Sequence, residues 1–265
     1  MPDVLRIDRD DRGVATVTLT RPEVRNAFGP ELMTAMRTAY DSLAQDDGVR
    51  CVVLTGEGSA FSAGADLNWM RSMVDYTYEQ QVADSQQLDA LFHTIDGFPR
   101  PTIARVNGHA LGGATGLIAC MDIAIAVRGA KIGFTEAKLG LAPAVISTYV
   151  QPKIGYSNAR RYFLTGEVFD ADRAVALGLV HEVCEPDDLD AVTEQMVVNI
   201  LAAGPTAQAA IKSLIGKVAG ALPDQVACAQ LTVPVISALR TGAEGQEGMA
   251  AFFDKRPAAW IPAVQ

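Results

Sequence analysis

Cysteine and histidine are scarce in this chain, and neither is spaced for metal binding. Its 265 residues hold four cysteines, Cys51, Cys120, Cys184 and Cys228, far apart and without a CxxC pair, and three histidines, His93, His109 and His181. That spacing excludes a zinc site. Cys51 and Cys120 lie in or beside apolar runs and read as small buried hydrophobes. Also missing are any apolar run long enough to cross a bilayer and, at the start of the chain, the basic flank and apolar stretch of a secretory signal. A cytoplasmic, reduced protein with no membrane partner is therefore expected. Basic charge is short too: 22 lysines and arginines face 31 acidic residues, a formal net charge of −9. Nothing sequence-wide gathers a phosphate backbone, which excludes nucleic acid as the main partner. An anionic ligand would have to be met by a few local cations or by backbone amides.

What is present suits a globular core, with 49% hydrophobic and 20% charged residues and no internal repeat. Residues 14–20 alternate apolar and polar side chains, and residues 5–8 can pair with them across the turn ending at Gly13, so a hairpin opens the chain. Leu32, Met36, Tyr40 and Leu43 recur at helical spacing after Pro30 and lead into an apolar strand at 51–54. The order repeats with a helix over 78–95, a strand at 102–106, an apolar helix through 117–119 and a strand at 122–127, which defines an α/β fold. Past about residue 145 the pattern is helical, over 157–164, 171–176, 187–203, 206–218, 224–239 and 245–253. No flexible linker interrupts it, so one core (1–200) with a C-terminal helical appendage (201–265) is expected.

Three stretches concentrate small residues beside strand ends. The first, from Ser59 through Ala63, Gly64, Ala65 and Asp66, follows strand 51–54; the second runs from Asn107 through Gly112, Gly113 and Gly116 into a helix. Gly112 and Gly113 at a helix start leave amides bare, as an anion or developing oxyanion requires. The same glycines serve close packing equally well. Neither stretch carries a phosphate loop or the dinucleotide fingerprint. The third stretch sets Glu136 among small and apolar residues, where a carboxylate is either paired or functional. Lys131 and Lys138 are its alternative surface partners.

In this order and at these separations, the three stretches resemble the enoyl-CoA hydratase/isomerase (crotonase) superfamily. Thr18-Leu19-Thr20-Arg21-Pro22 with Asn26-Ala27-Phe28 is similar to the family's opening strand and turn; Leu164-Thr165-Gly166, Gly178-Leu179-Val180 and the stretch from Glu247 to Arg256 extend the likeness along the chain. The resemblance implies a spiral of ββα units with a C-terminal trimerisation region, assembled as a homotrimer or hexamer. Its substrates are acyl-CoA thioesters, so coenzyme A comes as part of the substrate and no separate cofactor is implied. The N–H groups at Ala65 and Gly113 fall on the family's oxyanion donors, and Glu136 on its downstream catalytic glutamate. Arg25, Ala63, Asp66, Leu67, Gly112, Gly116, Phe252 and Lys255 match positions near substrate or coenzyme A, the last two often supplied by a neighbouring subunit.

One departure bears on the reaction. Two-glutamate hydratases carry a second carboxylate three residues after the glycine pair, where this chain has Gly116. Ala65 to Met70, Gly140 to Ser147 and Arg160 to Thr165 nonetheless resemble branched-chain members, including 3-methylglutaconyl-CoA hydratases of leucine breakdown. An enoyl-CoA hydratase is the expected activity, with a Δ3-Δ2 enoyl-CoA isomerase or a non-catalytic acyl-CoA binder as alternatives. Lys153, Arg160 or Arg161 could in principle receive an extra acyl carboxylate, although an arginine pair on a helix is more often a solvated face or a subunit contact. Trp69 and Met70 either shape an acyl tunnel or line the core, and His109 is expected to be structural.

Overall fold

A computed structural model describes residues 4–262. Among these the strands, in chain order, are β1 (Leu5–Arg9), β2 (Val14–Leu19), β3 (Cys51–Gly56), β4 (Ala60–Ser62), β5 (Thr102–Val106), β6 (His109–Leu111), β7 (Ile123–Val127), β8 (Lys131–Gly133), β9 (Val168–Asp170) and β10 (Glu182–Cys184). The helices are α1 (Pro30–Gln45), α2 (Leu67–Met73), α3 (Tyr78–Asp96), α4 (Gly113–Cys120), α5 (Ala144–Thr165), α6 (Ala171–Leu177), α7 (Leu189–Ala202), α8 (Pro205–Ala221), α9 (Gln225–Thr241) and α10 (Ala243–Asp254).

Two sheets share the work. The larger has the order β1-β2-β3-β5-β7-β10, antiparallel only between β1 and β2, where Leu5 faces Leu19. All six residues of β3 are buried, as a parallel strand covered on both faces requires. The smaller sheet has the order β4-β6-β8-β9. Each of β3-β4, β5-β6 and β7-β8 puts one strand into each sheet before the chain turns into helix, giving the spiral of ββα units. The opening hairpin and the helix after Pro30 form where the sequence pattern places them, with Leu32, Met36, Tyr40 and Leu43 buried.

The smaller sheet is what the sequence pattern did not show. Its strands are three residues each, too short for alternation to register. α5 also starts earlier than residue 157: it begins at Ala144, contains Pro152, and bends at Gly155, whose φ of 76° breaks the helical pattern. The last helix lying on the large sheet, α7, ends at Ala202, and Gly204 caps the start of α8. α8, α9 and α10 pack chiefly on each other and leave Ile215, Val226, Val233 and Phe252 exposed.

One buried side chain fixes the crossing from the hairpin to the small sheet. Asn26, fully buried and at φ 54°, accepts from the Arg21 N–H (3.0 Å) and donates to the carbonyls of Glu57 and Ala60 (both 2.9 Å). Its own carbonyl accepts from the Ser62 hydroxyl at 2.8 Å. Asparagine tolerates the left-handed backbone that alanine resists, so Asn26→Ala adds strain to the loss of three hydrogen bonds, one of them fully buried and two part-buried. We expect a loss of about 2–4 kcal/mol in unfolding free energy, read from denaturant melts.

Candidate active site

The site forms at one edge of the smaller sheet, where β4, β6 and β8 lie side by side in parallel. Parallel neighbours end together, so the residues leaving their C-terminal ends converge. Gly64 and Ala65 follow β4, Gly112 and Gly113 follow β6, and Glu136 follows β8.

Ala65 owes its free amide to strand geometry. Phe28 donates to the Gly64 carbonyl at 2.8 Å and accepts from the Asp66 N–H at 3.0 Å. Amides alternate in direction along an extended chain, so with residues 64 and 66 bound to Phe28, the Ala65 N–H points to the opposite edge, where it has no backbone acceptor. Gly113 supplies the second donor. As the first residue of α4 it is one of the amides that a helix leaves unpaired, while Gly112 donates to the Gly133 carbonyl at 2.9 Å and Thr115 to the Gly112 carbonyl at 2.9 Å. The two loops touch at Gly64: a Cβ there would lie 2.5 Å from the Leu111 carbonyl oxygen and 3.6 Å from the Gly113 nitrogen, and its φ of +84° suits glycine alone.

Glu136 stands beside these donors. It opens the short 3-10 turn Glu136–Leu139, and its Oε1 lies 3.4 Å from where a Gly112 Cβ would be. Its Oε2 is buried with no hydrogen-bond partner, and it forms no ion pair with Lys131 or Lys138 among the described residues. Burial raises the carboxyl above the ordinary glutamate range, against a smaller lowering by a backbone hydrogen bond. An uncompensated carboxylate beside free backbone amide donors can move a proton to or from a molecule whose oxygen the amides hold.

Other expected residues divide into those near this centre and those elsewhere. Arg25 is near: its carbonyl accepts from the Ala63 N–H at 2.9 Å, its side chain is exposed, and no ion pair engages it among the described residues. Asp66 is taken up by structure, contrary to a ligand role. Its carboxylate caps α2 by accepting from the Asn68 and Trp69 amides and meets Arg21 Nη2 at 3.4 Å. Leu67, next along, is exposed on the first turn of α2. Gly116 does not open toward a ligand either. It is buried, and a Cβ on it would meet Ile146 Cγ2 at 2.4 Å and the Phe92 ring at 2.9 Å, so hydrocarbon fills the place of a second acid.

Phe252 and Lys255 sit at the end of α10, where Phe252 lines a groove with Met249, Phe253 and Trp260, not the Glu136 loops of its own chain. The expected receivers of an acyl carboxylate are all engaged. Half-buried Lys153 donates to the Met121 carbonyl at 2.6 Å, Arg161 pairs with Glu167 at 2.5 Å, and Arg160 donates to the Tyr156 hydroxyl at 3.2 Å. Trp69 is core, its indole N–H on Asp84 at 3.0 Å, and His109 Nδ1 accepts the Lys131 N–H at 3.0 Å between strands. Sequence reasoning passed over Phe28 and Ile146 as shapers of the site. The only sign of Phe28 was its place in the Asn26-Ala27-Phe28 turn.

An α/β spiral that brings two backbone donors and one carboxylate to a single sheet edge defines a crotonase-type fold. The sequence profile of the enoyl-CoA hydratase/isomerase family matches residues 9–262. A crotonyl-CoA hydratase of Syntrophomonas wolfei is 30% identical over 250 residues, 94% of either chain. A trans-2-decenoyl-acyl-carrier-protein isomerase of Streptococcus mutans is 29% identical over 207 residues, covering 77% of this chain and 79% of its own. An enoyl-CoA hydratase structure from Shewanella pealeana superposes with a TM-score of 0.93 at 40% identity, covering 97% of this chain and 96% of that one. The chain belongs to the enoyl-CoA hydratase/isomerase family.

The raised carboxyl makes a stability prediction with a definite sign. A Glu136 pKa higher in the folded than in the unfolded protein means that ionisation opposes folding; the penalty is complete above the folded pKa and absent below the unfolded one. Glu136→Gln is therefore expected to melt higher than wild type at pH 7, with the gain shrinking toward pH 4. A lower melting temperature at pH 7 would contradict the picture of an unpaired carboxylate.

Proposed function

We propose that the protein adds water across the C2–C3 double bond of a 2-enoyl-CoA thioester. The observation that carries this reading is the lone carboxylate of Glu136, raised by burial and set beside the free Gly113 and Ala65 amides. Glu136 as the carboxylate takes a proton from water while the hydroxide oxygen bonds to C3. The electron pair of the double bond moves toward the thioester, whose oxygen becomes an enolate held by the two N–H groups. The same carboxyl then returns its proton to C2. Preorganised amides of this kind are worth roughly 3–4 kcal/mol of barrier for each donor. Arg25 at the Ala63 edge is the cation we assign to the coenzyme A phosphates. Exposed Phe252 and Lys255 fit a contribution to a neighbour's site in a trimer or a hexamer.

A second reading has its own support. Hydrocarbon occupies the place of a second acid at Gly116, and one carboxylate suffices to carry a proton from C2 to C4 of a 3-enoyl-CoA. The two reactions are told apart on one substrate panel. Wild type is expected to bleach the conjugated thioester absorbance of crotonyl-CoA, and Glu136→Gln to lose about 10²–10⁴ of kcat. Creation of that absorbance from a 3-enoyl-CoA, with crotonyl-CoA untouched, would move the assignment to isomerisation. Binding without either change would leave an acyl-CoA binder. For the hydratase, kcat/KM is expected to fall on acidification with a midpoint above the ordinary glutamate pKa, because the base must be ionised.

A further inference from the structure

The Ala65 and Gly113 amides belong to different kinds of backbone, one an extended segment leaving β4 and the other the first turn of α4. Two donors on separate segments serve one oxygen only if something fixes their spacing, because a hydrogen bond weakens steeply with misalignment. One tie is the close approach of Gly64 to the Leu111 carbonyl. A second runs through a side chain that belongs to neither loop.

Phe28 is buried, at 1% exposure. Its N–H donates to the Gly64 carbonyl at 2.8 Å and its carbonyl accepts from the Asp66 N–H at 3.0 Å, so it holds the backbone on both sides of Ala65. Its ring reaches the other donor. A Cβ on Gly113 would lie 2.7 Å from Phe28 Cζ and 2.9 Å from Cε2, and the three nearest neighbours of that position are all ring carbons of Phe28. Phe28 itself has little room to shift. Two residues before it the Asn26 side chain is tied to three backbone groups, and directly after it Gly29 caps α1, accepting from the Met33 N–H at 3.0 Å. A rigid ring anchored at one end beside Ala65 passes its position to Gly113 at the other, as close-packed interiors do.

On the reading of the protein as an acyl-CoA enzyme, we propose that Phe28 is a positioning residue that sets the spacing of the two amide donors: its backbone fixes Ala65 and its ring fixes Gly113. It touches no reacting atom. Its effect falls on the polarisation of the thioester carbonyl, and so on the barrier, with little effect on how tightly the coenzyme A part is held.

The infrared carbonyl stretch of butanoyl-CoA, labelled with carbon-13 at that carbonyl, reads this polarisation, since a saturated thioester binds without turnover. In wild type the bound carbonyl is expected at lower wavenumber than in free butanoyl-CoA. Phe28→Met keeps both backbone bonds and much of the apolar volume but exchanges the rigid ring for a flexible chain. It is expected to lose most of that shift and about 10–10² of kcat on the enoyl-CoA that wild type turns over, with KM changed by less than about threefold. Phe98→Leu, which opens the core where Phe98 packs on Tyr40 with ring centroids 5.5 Å apart, controls for destabilisation alone and is expected to keep the wild-type shift. Gly113→Ala sets a Cβ against the Phe28 ring, and leucine lacks Cε and Cζ; its penalty in kcat is therefore expected to be smaller on a Phe28→Leu background than on wild type. A wild-type shift that Phe28→Met and Phe28→Leu leave intact, or additive effects of Phe28→Leu and Gly113→Ala, overturns the role of Phe28 and leaves the acyl-CoA reading standing. Wild type that does not bind butanoyl-CoA, or binds it with the carbonyl at the free-thioester frequency, overturns that reading and this inference with it.

Discussion

Everything chemical in this molecule depends on the parallel register of three very short strands. β4, β6 and β8 end at one edge of the smaller sheet, and each hands its chain to a segment with a job there: a free amide from Ala65, a helix start at Gly113, a carboxylate at Glu136. The register is held from outside by Asn26 and Phe28, which bind the backbone of residues 60–66. At its centre Gly64 approaches the Leu111 carbonyl more closely than any side chain permits. The oxyanion-type geometry is thus a property of backbone packing, which explains why the segments that form it contain glycine and alanine and no cationic side chain.

Glu136 shows the cost of that arrangement. Its Oε2 is buried without a partner, a condition that a purely structural position would relieve by a cation or a hydrogen bond. The surrounding core over-determines its place, since it leaves β8 immediately beside Gly112 and is followed by the Leu141 N–H bond to its own carbonyl at 3.1 Å. On α4, Ile146 and Phe92 close over Gly116. Under the proposed reaction, Glu136 is the titratable side chain that would carry the proton transfer, and the Gly116 side of the site is hydrocarbon.

The chain's net charge of −9 sits beside a family whose substrates are anionic thioesters. The structure reconciles the two by locality. Arg25, exposed and without an ion pair among the described residues, lies next to the Ala63 edge of the site, while the acids between Arg71 and Arg100 lie on the α3 side. On the proposed reading, the Ala65 and Gly113 amides hold the reacting oxygen and need no compensating side-chain charge. Overall charge is therefore a poor guide to ligand charge when backbone donors make the decisive contacts.

By itself the sequence determined the opening hairpin, the buried α1 stripe, the β3, β5 and β7 strands of the large sheet and the helical C-terminal third, because each spans enough residues for its pattern to show, whereas β10, with three residues, did not register. It also carried the family likeness and marked Ala65, Gly113 and Glu136 as neighbours by motif. Only the tertiary structure decided what those motifs could not: that Asp66 caps a helix, that Gly116 is sealed by Ile146 and Phe92, that Lys153, Arg160 and Arg161 are engaged, and that Phe252 and Lys255 stand apart from their own chain's site. The physical reason is range. Periodicity and turn chemistry act over a few residues along the chain, whereas hydrogen-bond partners, cavities and unpaired charges are fixed by segments that meet only after three-residue strands have found their neighbours.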